Sequence, residues 1–183
     1  MSFVLQQSGI VLRPIEARDR TSLYEAVHES METVGAWMSW CHPAYSLEDA
    51  DQWIATCTHN WASGTDREFG IFDAASGAVL GCAGINQVNQ VNRFANLGYW
   101  IRASRTGQGL ASTAARLVAR FGFAQLALVR LEVVVRVNNV ASRRVAEKLG
   151  CHLEGVARHR LLHQGMPYDA AMYSLLPQDF SLD

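Results

Sequence analysis

Gly98-Tyr99-Trp100-Ile101-Arg102-Ala103-Ser104-Arg105-Thr106-Gly107-Gln108-Gly109-Leu110 reads as a strand, a glycine-bearing turn and the first turn of a helix. A helix N-terminus carries about half a positive charge and up to four backbone N–H groups without intrahelical acceptors. Glycines at 107 and 109 let a phosphate approach those groups with no Cβ in the way. The turn lacks the Gly-Lys-Ser/Thr ending of a P-loop and the third glycine of a dinucleotide fingerprint. It points to a pyrophosphate-containing cofactor held mainly by backbone.

Downstream, Leu110, Ala114, Leu117, Val118 and Phe121 repeat at amphipathic helical spacing. Leu131-Glu132-Val133-Val134-Val135-Arg136-Val137 is rich in β-branched residues and reads as a central strand. Residues 95–137 thus form a β-α-β crossover, which places strands 95–101 and 131–137 parallel. Upstream, 10–14 reads as a first strand and 17–29 as a helix with Leu23 and Val27 on one face. Ser46 and Asp49 mark a capping box opening a second helix that Gly64 ends. Strands at 67–73 and 79–87 flank the turn Ala74-Ala75-Ser76-Gly77. Residues 140–149 form a helix with Ala141, Val145 and Leu149 inward, stopped by Gly150, and 151–176 reads as two strands around Gln164-Gly165. The pattern is an α/β fold, one domain over 1–183, with a twisted mixed sheet of about six to seven strands and about four helices.

The chain has 183 residues, 49% hydrophobic, and a net charge of −1, which argues against a nucleic-acid partner or a polybasic membrane anchor. The opening residues lack a signal-peptide pattern, and no apolar run approaches the ~20 residues of a membrane span. Cys41, Cys57, Cys82 and Cys151 show neither metal-ligand nor disulfide spacing, which suits a reducing cytoplasm and buried, inert thiols.

A second motif follows strand 131–137: Asn138-Asn139-Val140-Ala141-Ser142, closed by Glu147-Lys148-Leu149-Gly150. Asn139 either caps the helix start or points its amide beyond the strand tip, with Ser142 on the same face. The glycine turn after Gly-Tyr-Trp, then Asn-x-Ala-Ser about thirty residues later, resembles the GNAT superfamily of acyl-CoA-dependent N-acetyltransferases. Leu153-Glu154-Gly155, Gln164-Gly165-x-x-Tyr168-Asp169 and Met172-Tyr173, with Trp37-x-x-Trp40, are similar to its RimJ/RimL branch, which acetylates ribosomal-protein N-termini.

The resemblance implies acetyl-CoA as cofactor. Ser104, Arg105, Thr106, Gly107, Gln108 and Gly109 would wrap its pyrophosphate through backbone N–H groups, at the helix start Leu110-Ala111. It further implies that strands 95–101 and 131–137 splay, with the pantetheine arm bonded to the backbone near Trp100 and Ile101. Asn139 and Ser142 would meet the thioester end, and Lys148 belongs to the same cofactor-contacting set. Two positions depart from the family pattern. Ser104 stands where Gln or Arg is usual, and Ala146 stands where many relatives carry the tyrosine that protonates the leaving thiolate.

Chemistry narrows the acceptor. Free α-amines have pKa near ~8 and lysine near ~10.4, so an N-terminus needs far less help to lose its proton. A backbone N–H at a bulge near Tyr99–Trp100 is the candidate for polarising the carbonyl, and Ser142 for meeting the thiolate. Glu68, Asn86, Gln87, Asn96 and His42 are candidates to hold a base or water, with none singled out by spacing. Direct transfer needs no covalent intermediate on Cys82. Trp37 and Trp40 are expected to line an acceptor groove, and Trp53 and Trp61 to bury. Glu29 and Glu32 read either as attractors of a cationic amine or as solvated acids. Three functions follow: acetylation of a protein N-terminal amine, acetylation of a small amine such as a polyamine, amino acid or antibiotic, and a non-catalytic acyl-CoA sensor. Exposed C-terminal strand edges offer a surface for a homodimer.

Overall fold

The computed structural model describes residues 3–179. In chain order the strands and α-helices are β1 (Leu5–Gln7), β2 (Ile10–Arg13), α1 (Arg20–Glu29), α2 (Leu47–Ser63), β3 (Arg67–Asp73), β4 (Val79–Asn89), β5 (Phe94–Ile101), α3 (Leu110–Gln125), β6 (Arg130–Arg136), α4 (Val140–Leu149), β7 (His152–His163) and β8 (Met166–Leu175). They build one eight-stranded sheet in the order β1-β2-β3-β4-β5-β6-β8-β7. The sheet has more strands than the sequence pattern suggested because β1 is only three residues long and too short to show alternation. A two-residue turn at Ser8 (φ 51°) and Gly9 (φ 79°), both left-handed, folds β1 back onto β2.

Capping chemistry sets the helix ends. Ser46 accepts from the Asp49 N–H while the Asp49 carboxylate takes the Ser46 N–H, and Gly64 ends α2 at φ 83°. In α4 the inward face is Ala146 and Leu149, with Val145 half-buried; Ala141, expected to be inward, is exposed at the helix start.

The sheet separates two cores. One face holds Phe69, Ile85, Leu97 and Ile101 against α3 and α4. The other holds Phe72 and Cys82 with residues of α1 and α2, such as Leu23, Val27 and Ile54. All neighbouring strands pair antiparallel except β5 and β6, the two ends of the crossover. Their parallel pairing covers only Phe94↔Arg130, Ala95↔Leu131 and Asn96↔Glu132, and then stops. Beyond Asn96 the strands part, and β6 continues on β8 alone.

Candidate active site

The parting of β5 and β6 leaves backbone groups without strand partners. The Arg102 N–H donates to the Leu80 carbonyl of the β4 strand (2.8 Å), and backbone groups along a strand alternate sides. Tyr99 and Ile101 therefore turn both N–H and C=O into the gap. Trp100, named with Ile101 in the sequence reading, turns its backbone to β4. The expected bulge at Tyr99–Trp100 is absent: β5 keeps one register with β4 from Asn96 to Ile101, and the irregularity lies in β4, between Asn86 and Asn89, where Gln87 has φ 53°. Tyr99 thus presents a free N–H through ordinary alternation.

Past β5, a short 3-10 turn (Ala103–Arg105) leads to Gly107 and Gly109, at φ 75° and 78°. A Cβ built on either glycine meets nothing within 4 Å. Not all of the loop is available to an anion. The N–H of Ser104 donates to Glu29 Oε1 (2.6 Å), that of Arg105 to the Arg102 carbonyl and that of Thr106 to the Ala103 carbonyl. This corrects the expectation that the wrap begins at Ser104. Among the described residues, the N–H groups of Gly107, Gln108, Gly109, Leu110, Ala111 and Ser112 have no backbone acceptor, and α3 begins its own ladder only at Thr113. The Arg105 guanidinium is committed to Asp73 (2.7 Å), whose carboxyl this pair and two loop N–H groups hold down to about 2.

Glu29, expected at the acceptor or in solvent, instead anchors this loop. It pairs with Arg102 and caps Ser104, and these contacts hold its carboxyl down to about 2. Its neighbour Ser30, fully buried, accepts the Ala103 N–H (3.0 Å). The end of α1 thus grips three consecutive residues ahead of the glycine turn.

On the α4 side of the gap, Asn139 caps the helix, its Oδ1 accepting from the Ser142 N–H (3.1 Å). The Tyr99 hydroxyl crosses from β5 to donate to the Ser142 carbonyl (3.0 Å) and lies 3.3 Å from Ser142 Oγ. Ala146 is fully buried in the core, so no polar group enters at that position. Lys148 sits at the far end of α4, where its carbonyl accepts from Arg116.

The α1/α2 face of the same region holds a cleft of about 560 Å³. Its floor follows from strand register. Glu68, Gly84 and Gly98 lie opposite one another on three strands and share a face, as do Asn86 and Asn96. A Cβ on Gly84 would stand 2.1 Å from Glu68 Oε2, so only glycine leaves room for that carboxylate. Asn96 Nδ2 donates to Asn86 Oδ1 (2.9 Å), and Asn86 Nδ2 donates to Glu68 Oε1 (3.0 Å). Burial pushes the Glu68 carboxyl up, and the Asn86 bond offsets only part of that. Of the candidate bases, the fold singles out Glu68. Spacing could not, because the signal is a glycine across a strand pair.

The cleft walls carry Trp40, which is 40% exposed and meets Trp100 edge-on with ring centroids 5.5 Å apart. Trp53 also lines it, 38% exposed, contrary to the expectation of burial. Eight positions turn about 80° around a helix, so Trp53 and Trp61 face different ways. Trp61 packs on Phe3, Phe69 and Phe121 instead. Trp37 does not line the cleft; it lies by Arg136, whose guanidinium covers Tyr168 at 3.7 Å. All four cysteines are buried, and the Cys82 thiol is pushed well up by desolvation, which disfavours the thiolate a nucleophile needs. Among the described residues no helix is long and apolar enough to cross a membrane, and no cluster of His, Cys, Asp and Glu could hold a metal.

Comparison with known proteins identifies the family. A model of the acetyltransferase (GNAT) domain matches residues 10–152. The Bacillus subtilis protein named "Putative ribosomal N-acetyltransferase YdaF" is 31% identical over 93% of each chain. The Spermidine N(1)-acetyltransferase of Escherichia coli is 26% identical over 86% of this chain and 80% of its own. A solved structure described as a "putative ribosomal-protein-serine acetyltransferase from Vibrio cholerae" superposes with a TM-score of 0.85 at 30% identity, covering 96% of this chain and 98% of that one. The chain belongs to the GNAT acetyltransferase family.

Proposed function

We propose that this GNAT acetyltransferase transfers acetyl from acetyl-CoA to the α-amine of a peptide or protein N-terminus. When bound, acetyl-CoA supplies an acetyl group activated as a thioester. The N–H groups of residues 107–112 would hold its pyrophosphate, since the two glycines leave that approach open. The free backbone edge at Tyr99 and Ile101 would hold the pantetheine arm as a strand-like partner. The Tyr99 N–H would polarise the acetyl carbonyl; one such donor is worth ~3 kcal/mol.

The observation that carries the choice of acceptor is Glu68, a carboxylate raised by burial at the floor of the cleft. Burial makes this carboxylate a better proton acceptor than an exposed one, and an α-amine near ~8 gives up its proton more readily than a lysine near ~10.4. Asp49 also lines the cleft, its Oδ2 taking the Ser46 N–H and hydroxyl. Glu29 is spent on Arg102 and Ser104.

The test is thiol release from acetyl-CoA across short peptides with free N-termini, the same peptides N-acetylated, spermidine, and free lysine. Saturable release is expected with free N-termini alone, with mass spectrometry placing the acetyl on the α-nitrogen. Preference for spermidine or for a side-chain amine would overturn the acceptor. Tight CoA binding with no turnover on any amine would leave a sensor.

A further inference from the structure

Ala146 leaves the family's usual proton donor missing, and Ser142 alone is a weak replacement because an alkyl hydroxyl gives up its proton far less readily than a phenol. The fold brings a phenol to the same place from another element. Tyr99 comes from β5 and Ser142 from the first turn of α4, 43 residues away, and their hydroxyl oxygens lie 3.3 Å apart beside the gap. The pairing is not forced by local sequence. It exists because β5 and β6 part after Asn96 and α4 starts just beyond the end of β6.

Tyr173, Tyr168 and Tyr24 are engaged elsewhere. The Tyr173 hydroxyl is fully buried, accepting from Arg143 Nε (3.1 Å) and donating to Glu147 (3.2 Å). Tyr168 lies flat against the Arg136 guanidinium, and Tyr24 packs on His28. Tyr99 is half-buried, lines the acceptor cleft as well, and among the described residues its hydroxyl bonds to Ser142 alone. Burial keeps its phenol above the ordinary tyrosine range, so it stays protonated at neutral pH and holds a proton to give.

We propose that Tyr99, through Ser142 Oγ, is the proton donor to the leaving sulfur, a phenol supplied from β5 in place of one from α4. The assignment rests on the acetyl-CoA reading above. As the amine nitrogen bonds to the acetyl carbon, the carbon–sulfur bond breaks and its electron pair goes to sulfur. Ser142 Oγ gives its proton to that sulfur as the Tyr99 Oη–H turns from the Ser142 carbonyl to Oγ and replaces it, and the phenol recovers its proton through water from Glu68. Glu68 takes the proton the amine loses. Amine and thioester thus become amide and thiol, with charge balanced.

Tyr99→Phe keeps the ring and removes the hydroxyl. Its kcat should fall about 100-fold, with KM for acetyl-CoA changed less than about threefold. A reading independent of turnover is the affinity for CoA against desulfo-CoA, which lacks the thiol. Wild type should prefer CoA severalfold, and Tyr99→Phe and Ser142→Ala should each lose that preference while binding desulfo-CoA normally, which also reports an intact site. If Tyr99→Phe keeps wild-type kcat, or keeps the preference for the thiol, the assignment falls. If wild type itself neither binds CoA nor releases thiol, the acetyl-CoA reading falls and takes this with it.

Discussion

Glu68→Gln tests the cleft most directly, because glutamine keeps the shape and still accepts the Asn86 Nδ2 hydrogen bond while losing the ability to take a proton. A positioned general base contributes about 10²- to 10⁴-fold in rate, or about 3–5 kcal/mol of barrier. The variant's kcat at pH 7 should therefore fall at least about 100-fold, with KM for acetyl-CoA unchanged, in a thiol-release assay with a peptide acceptor. Stability should move the other way. Burial raises the folded carboxyl above its unfolded value, so between those two values the folded chain binds more protons than the unfolded chain. Wild-type stability then declines as pH climbs from the ordinary carboxylate range through the raised folded value, by about 1.4 kcal/mol for each pH unit of that window. Glu68→Gln lacks this slope. In urea unfolding at pH 4 and pH 8 it should match wild type more closely at pH 4 and exceed it at pH 8. A variant within threefold of wild-type kcat and with an unchanged pH profile would refute the role of Glu68.

Gly107→Val forces a β-branched residue to φ 75° and places a side chain where the N–H groups are open. CoA affinity by calorimetry should fall at least tenfold while urea unfolding changes by only about 1–2 kcal/mol; unchanged affinity would count against the pyrophosphate assignment. Glu29→Gln breaks the pair with Arg102 and weakens the cap on Ser104. Glu29 is partly solvated, so its loss should cost at most about 1 kcal/mol. That contribution is present above the ordinary carboxylate range and is lost as pH falls toward about 2, so wild type and variant should converge in acid. Because the loop ahead of the glycine turn loosens, KM for acetyl-CoA should rise with kcat nearly unchanged, and a variant with wild-type KM would show that the grip is dispensable.

Much of this was legible in the chain because it is written in local, periodic signals. The glycines at 107 and 109, the helix repeat from Leu110, and the Ser46–Asp49 box all act within a few residues of themselves. Asn139 at the α4 start belongs with them, and its capping was readable as one of two alternatives. Trp53 and Ala141 misled because a helix face is fixed by what docks against it, and the docking surface lies elsewhere in the chain. The sequence points to Tyr99 through a backbone bulge that the fold lacks, whereas its side chain reaches Ser142.

By itself, then, the sequence determined the element order, the β-α-β crossover and the glycine turn that opens α3, since each depends on backbone preference and short-range periodicity. The tertiary structure decided which groups are free. Register across β3, β4 and β5 set Glu68 over Gly84 and linked it to Asn86 and Asn96. The end of α1 claimed the Ser104 N–H and left the anion site to residues 107–112. Where β5 and β6 part is likewise a matter of pairing between distant segments. A residue's chemistry is local, but its availability depends on who else has already taken its hydrogen bonds.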